Sequence, residues 1–158
     1  MIDEKLQLYI NKIFEQLRTI CQIGTIVDVD YNQAKVKVKF ENDVISAWLP
    51  WAENIVDTTR TWTPPKNDAQ AIVLFANGNV NRGVVISYLH QNKFPQIAQD
   101  GDLHKVLFAN GSSVEVDEKN NTMNIKCIGA LTIHATGNMV LKSDSDIAIQ
   151  APHVGVND

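Results

Sequence analysis

Little in this 158-residue chain suits covalent or metal chemistry. Its two cysteines, Cys21 and Cys127, lie in different segments without metal-type spacing, so they read as free thiols rather than a disulfide framework or a zinc site. Basic residues are few. Fourteen Lys and Arg against 18 Asp and Glu leave a net charge of −4, which argues against a binder of phosphate backbones. No N-terminal stretch has the basic, apolar and small-residue order of a signal peptide, and no apolar run approaches the length of a membrane span. Assembly in the cytoplasm is therefore the expectation. No Ser, Cys or Lys stands in a recognisable nucleophile motif, and no Gly-rich phosphate loop opens a helix. The acidic pairs do not fill the gap. Asp28 and Asp30 sit two apart beside a polar turn, and Glu115 and Asp117 alternate with Val114 and Val116, so both read as solvated strand residues rather than glycosidase carboxylates. No enzymatic role is expected.

What the chain does have is a period. From Thr122 to His153 it divides into four blocks of eight, with large apolar residues at the second and fourth positions: Met123/Ile125, Leu131/Ile133, Met139/Leu141 and Ile147/Ile149. The blocks end on Gly129, Gly137, Ser145 and His153. Two apolar residues with one between them share one face of a strand, and a small residue at the block's end lets the chain turn. A β-helix needs about three short strands per turn, so four blocks from one chain fall below the roughly three repeats that stability requires. Three copies wound together repair the shortage. The expected object is an intertwined triple-stranded β-helix, a thin trimeric prism whose core also takes Val114, Val116, Val154 and Val156. Val114 and Val116 stand nine residues before Met123 and Ile125, so the repeat is expected to begin there with one residue inserted.

Upstream, residues 3 to 20 read as a helix with Asp3 as N-cap. Its apolar residues, Leu6, Ile10, Ile13, Leu17 and Ile20, follow the four-three spacing of a heptad seam, which fits either a coiled coil or an amphipathic helix packed on its own domain. From Ile23 the period changes to two. Strands are expected at 23–30, 34–40, 44–49, 70–76 and 82–89, with a long connection through Pro64 and Pro65. Five short antiparallel strands with one long connection suggest a small Greek-key barrel of the oligonucleotide/oligosaccharide-binding (OB) type. The barrel class often binds single strands on aromatic platforms. Here Trp48, Trp51 and Trp62, with Arg60, have few basic neighbours and read instead as barrel or inter-subunit packing. Residues 91 to 102 read as a linker, and Leu103 to Asp117 as a hairpin around Asn110-Gly111. The expected organisation is a mainly β chain: helix 1–22, OB barrel 23–90, linker 91–102 and spike 103–158.

The histidines give no His-x-His or His-x-x-x-His pair, and no cofactor is expected. In a trimer one position supplies three imidazoles around the axis, and among His90, His104, His134 and His153 the last is the best placed for an ion. Val154 and Val156 nevertheless continue the inward set and turn His153 to an outer corner.

Several elements in order carry a resemblance. Gly24-Thr-Ile-Val-Asp-Val-Asp30, Trp48-Leu-Pro-Trp51, Arg60-Thr-Trp62 with Pro64, Val73-Leu-Phe-Ala-Asn-Gly78 and Gly83-Val-Val-Ile86 resemble the baseplate assembly protein V family, the central spikes of contractile-tailed bacteriophages and related bacteriocins, kin to the type VI secretion spike. Asp102 to Gly111 followed by Val114-Glu-Val116 resembles that family's approach to the prism. The resemblance implies a homotrimer docked on a baseplate hub protein, with a needle that sheath contraction drives through the bacterial outer membrane. It implies a place in the virion tail or injection particle. Many members end in a His-x-His pair that holds iron at the apex; this chain has no such pair, so a separate small tip protein of the PAAR-repeat type is expected to cap it. The competing readings are a nucleic-acid-binding OB module and a trimeric tail protein that binds or cleaves polysaccharide.

Overall fold

The computed structural model describes residues 3–155. The chain forms two compact units, Met1–Gln99 and Asp100–Asp158, and each is described by itself. No helix among the described residues is long and apolar enough to cross a membrane.

The first unit opens with helix α1, Glu4–Ile20. Asp3 caps it, its side chain accepting a hydrogen bond from the Lys5 amide at 3.3 Å. None of its residues is buried, although its apolar residues recur at helical spacing. The reading of an amphipathic helix packed on its own domain therefore fails for the stripe from Leu6 to Leu17, because the barrel meets the helix elsewhere. It does so at the last turn, where the Thr19 hydroxyl donates to the Gly78 carbonyl at 3.1 Å. Gly78 has φ 67°, and a Cβ there would lie 2.8 Å from the Gln16 carbonyl oxygen, so only glycine allows this approach.

Strands β1 (Cys21–Asp30), β2 (Lys35–Lys39), β3 (Leu49–Pro50), β4 (Gln70–Phe75) and β5 (Gly83–Leu89) form one sheet in the order β3-β2-β1-β4-β5. The four-residue turn between β1 and β2 is closed by the Asp30 carboxylate, which accepts from the Asn32 and Gln33 amides at 2.9 and 3.0 Å. That settles Asp30 as a turn residue. The sheet is bent by a bulge between Ile26 and Asp28 and another irregularity between Ile72 and Val73. It curls until its edges meet, through a parallel bridge of Trp51 with Val85 and a 2.7 Å bond from the Ala52 amide to the Val85 carbonyl. Alternation then sends Ile26, Val36, Val38, Leu49, Trp51, Ala71, Val73, Phe75 and Val85 inward as the core. The result is an OB-like curled sheet preceded by a helix.

The third strand departs from expectation. A strand at 44–49 is reduced to the bridge of Lys39 with Ile45 and the two residues of β3. A 3₁₀ turn at Glu41–Asp43 intervenes, and the Val38 amide gives its proton to the Ser46 hydroxyl at 2.9 Å rather than to a carbonyl. A side chain has taken a backbone donor, and although the Ser46 amide still donates to the Val38 carbonyl at 2.9 Å, the regular ladder is interrupted there. Residues 91–94 form a turn fastened to the β4 approach, with Lys93 Nζ 2.6 Å from the Asp68 carboxylate.

The second unit contains a three-stranded antiparallel meander, β6 (Leu103–Leu107), β7 (Ser113–Asp117) and β8 (Thr122–Lys126). The hairpin loop spans 108–112, closed by a 2.9 Å bond from the Gly111 amide to the Phe108 carbonyl. The expected start of the octads at Val114 is corrected here. Val114 faces Ile125 and Val116 faces Met123 in antiparallel register, so these residues are partners across a hairpin and not successive rungs of a repeat. The Asn120-Asn121 turn, with Asn121 at φ 51° and the Asp117 carboxylate accepting from the Asn120 amide at 2.9 Å, reverses the chain. From 127 to 155 the described residues of this single chain contain no strand, and no β-helix is formed.

Candidate functional site

Three surfaces concentrate what this chain has to offer. The first is the connection after β3. Glu53 stands at its centre, accepting from Trp51 Nε1 at 3.1 Å and from the Thr63 amide at 2.7 Å through one oxygen, and from the Thr61 hydroxyl at 2.7 Å through the other. Those donors, the Thr63 amide foremost, hold the Glu53 carboxyl below its ordinary range. The loop beyond closes on itself, with Val56 and Thr59 exchanging backbone bonds and Ile55 bridging Arg60. Trp62 packs on Trp51, ring centroids 5.4 Å apart at 51°. Tyr88 stands close enough to feel the Glu53 charge; burial first, and that charge second, push its phenol up to about 12.

The tryptophans therefore take separate roles. Trp51 is buried in the barrel, whereas Trp62 remains 57% exposed and Trp48 is exposed with Lys37 Nζ 4.7 Å from its ring. Arg60 is exposed, and its backbone bridge is to Ile55 of the same loop. Glu53, Thr61 and Thr63 were invisible to pattern reading, since a lone acid in a polar loop has no period. The signal that could have found them is a single carboxylate placed between two Trp-containing elements, one of which must satisfy an indole N–H.

The second surface is one face of the meander. His104 pairs with Val116 and Val116 with Met123, while Val106 pairs with Val114 and Val114 with Ile125, so these six side chains share a face. Five are apolar, and Val106, Met123 and Ile125 are each more than half exposed. The opposite face is polar apart from Leu103 and Leu107 on β6, and carries a 2.8 Å ion pair between Lys105 and Glu115. Farther along, Leu131, Ile133, Met139, Leu141, Ile147, Ile149 and Val154 are all exposed, Ile133 at 68%. Val156 lies outside the described residues. The Asp117 carboxyl is held low by the Asn120 side chain and amide, which accounts for it as a turn residue.

The third is the apolar stripe of α1 with the groove at its foot. The groove, about 840 Å³, lies among Cys21, Ile23, Phe40, Glu41, Val44 and Val80. Its lining includes one carboxylate and no histidine, so it presents no acid–base pair. Nearby, Lys39 Nζ lies 2.6 Å from Asp43 and lowers the Asp43 carboxyl, first through the hydrogen bond and then through its charge. Cys21 and Cys127 are free and exposed. Among the described residues no three His, Cys, Asp or Glu side chains gather where they could hold a metal; His153 is exposed, and His104 Nε2 lies 3.2 Å from Glu118.

The meander face and the α1 stripe are mainly apolar, whereas the connection after β3 is organised around the Glu53 carboxylate. Residues 22–90, all of the curled sheet but its first residue, match the family model described as the type VI secretion system/phage-baseplate injector OB domain. No curated protein matches the chain.

Proposed function

We propose, for a chain that belongs through residues 22–90 to the baseplate protein V family, that it is the central spike of a contractile tail and pierces the bacterial outer membrane mechanically when the sheath contracts. The observation that carries this reading is the apolar face of Val106, Val114, Val116, Met123 and Ile125, exposed in a single chain and directly downstream of an injector OB domain. A soluble chain seldom leaves such a continuous apolar series open to water. Three copies would bury it. The exposed octads that follow, Leu131 to Ile149, would then wind around the same axis as a triple-stranded β-helix, with every backbone group paired along the prism and few free edges to peel apart under load. The role is mechanical and not catalytic.

In this arrangement the OB domain docks on the baseplate hub protein and the prism points at the cell. In this reading a separate PAAR-like tip protein caps the prism. The particle is a phage tail or a related injector. Native mass spectrometry of the purified chain at micromolar concentration is expected to return a trimer; a monomer would overturn the shared core. Labelling of intact particles is expected at the distal end of the baseplate, and a self-capped prism apex with no additional density would remove the tip protein.

A further inference from the structure

The geometry points to α1 docking in parallel against the α1 helices of two further copies of this chain, as a three-helix seam distinct from the prism. This rests on the trimeric reading above, and adds a contact at the opposite end of the sequence.

The helix is tied to its own barrel at its last turn, beside the end of its apolar stripe, and leaves the stripe before that turn without cover. Gln16 and Thr19 lie against Gly78, through the 3.1 Å hydroxyl bond and the close approach that a Cβ would block. The stripe of Leu6, Ile10, Ile13, Leu17 and Ile20 contains no buried residue, with Leu6, Ile13 and Leu17 half exposed or more. Written as heptads, Leu6, Ile13 and Ile20 take the d positions and Ile10 and Leu17 the a positions. Two-stranded coils favour leucine at d, whereas Ile at both positions, or Leu at a with Ile at d, shifts the preference to three or four strands. Both complete a–d pairs here are of the second kind: Ile10 with Ile13, and Leu17 with Ile20.

Charge placement agrees. Glu4, Lys5, Lys12, Glu15 and Arg18 all fall at b, c and f, away from the seam, while the flanking e and g positions hold Gln7, Tyr9, Phe14 and Gln16. Identical helices can thus meet in parallel without opposing like charges, as a cyclic threefold assembly requires. Tyr9 and Phe14, both exposed, widen the apolar face beyond the narrow a/d strip of a dimer. A 17-residue helix, about 25 Å long, is too short to associate alone. It does not act alone. Three chains already held together downstream give the helices a high effective concentration, so a weak seam is enough.

The test uses the full chain with Cys21→Ser and Cys127→Ser, both exposed positions, as background. Ile13→Cys places a thiol on the seam and Lys12→Cys places one outside it. After mild oxidation, Ile13→Cys is expected to sediment as a trimer and to run as disulfide-linked dimers on a non-reducing gel, whereas Lys12→Cys links at only a small fraction of that yield. Ile10→Cys, also on the seam, should repeat the result through an independent substitution. Sedimenting trimers in which Ile13→Cys and Ile10→Cys link no better than Lys12→Cys would overturn the helix seam and leave the trimeric reading standing. Monomers would overturn both. Efficient linking in an assembly of two or four chains would overturn the count of three.

Discussion

Replacing Ile133 by Asp separates the trimeric core from the fold of the single chain. Ile133 is 68% exposed within one chain, so the substitution has nothing to disrupt there, and a surface change of this kind is expected to alter barrel stability by no more than about 0.5 kcal/mol. In the proposed prism it occurs three times around one axis. The three lost isoleucines forfeit roughly 5 to 9 kcal/mol of apolar burial at about 1.5 to 3 kcal/mol each. Three carboxylates placed on the axis about 6 Å apart repel by close to ~3 kcal/mol per pair at an effective dielectric constant of about 20. Proton uptake offers no easy escape, because raising each carboxyl from about 3.9 to 7 costs about 4 kcal/mol. The combined penalty exceeds ~10 kcal/mol per trimer, equivalent to more than seven orders of magnitude in the association constant. Sedimentation velocity at neutral pH is therefore expected to show monomers with an unchanged thermal transition for the barrel. Lowering the pH toward 4, where the carboxyls accept protons more readily, should restore part of the trimer. A trimer of undiminished stability at neutral pH would show that Ile133 faces outward, and the assignment of the octad core would fall with it.

Three further outcomes follow from the barrel. Phe75, 2% exposed and 5.8 Å from the Phe40 ring, fills the centre of the core, and Phe75→Ala is expected to cost about 3 to 5 kcal/mol in chemical denaturation; a loss below about 1 kcal/mol would contradict the packing. Glu53 has a folded value below its ordinary 4.5, so its contribution is present above 4.5 and is lost as pH falls through the lowered value. Acidification should then change the Trp51 and Trp62 fluorescence, and Glu53→Gln should abolish that dependence; a variant with the wild-type profile would assign the change to another group. Gly83→Val should destabilise the barrel by about 1 to 3 kcal/mol, because even a Cβ would meet the Phe75 ring at 2.5 Å, and an unchanged denaturation midpoint would refute that contact.

Local periodicity carried a good deal of this protein. The four-three spacing from Leu6 to Ile20 marked α1, the Lys/Val alternation from Lys35 to Lys39 marked β2, and Asn110-Gly111 marked the turn between β6 and β7, since each depends on neighbours along the chain. The elements that escaped depend on individual side chains and turns that no period encodes. Strand 44–49 reads as a strand, yet the Ser46 hydroxyl captures the Val38 amide across eight residues and interrupts it. Val114 and Val116 share an apolar face with Met123 and Ile125, as the pattern suggested, but the pairing is antiparallel because the Asn120-Asn121 turn reverses the chain.

The sequence by itself determined the order of segments, the apolar stripes and the absence of a catalytic motif, because composition and period are properties of the chain before it folds. Only the tertiary structure decided how the sheet closes at Trp51 and Val85, which tryptophan is core and which is open, and that Glu53 holds the connecting loop through three donors. It also decided that the α1 stripe is left uncovered while Thr19 and Gly78 fasten the helix elsewhere. The physical reason is the same in each case: a hydrogen bond or a packed ring joins particular residues whose separation follows no repeat, whether within one loop as at Glu53 or across the unit as at Thr19 and Gly78, and such a pairing leaves no periodic mark in the sequence.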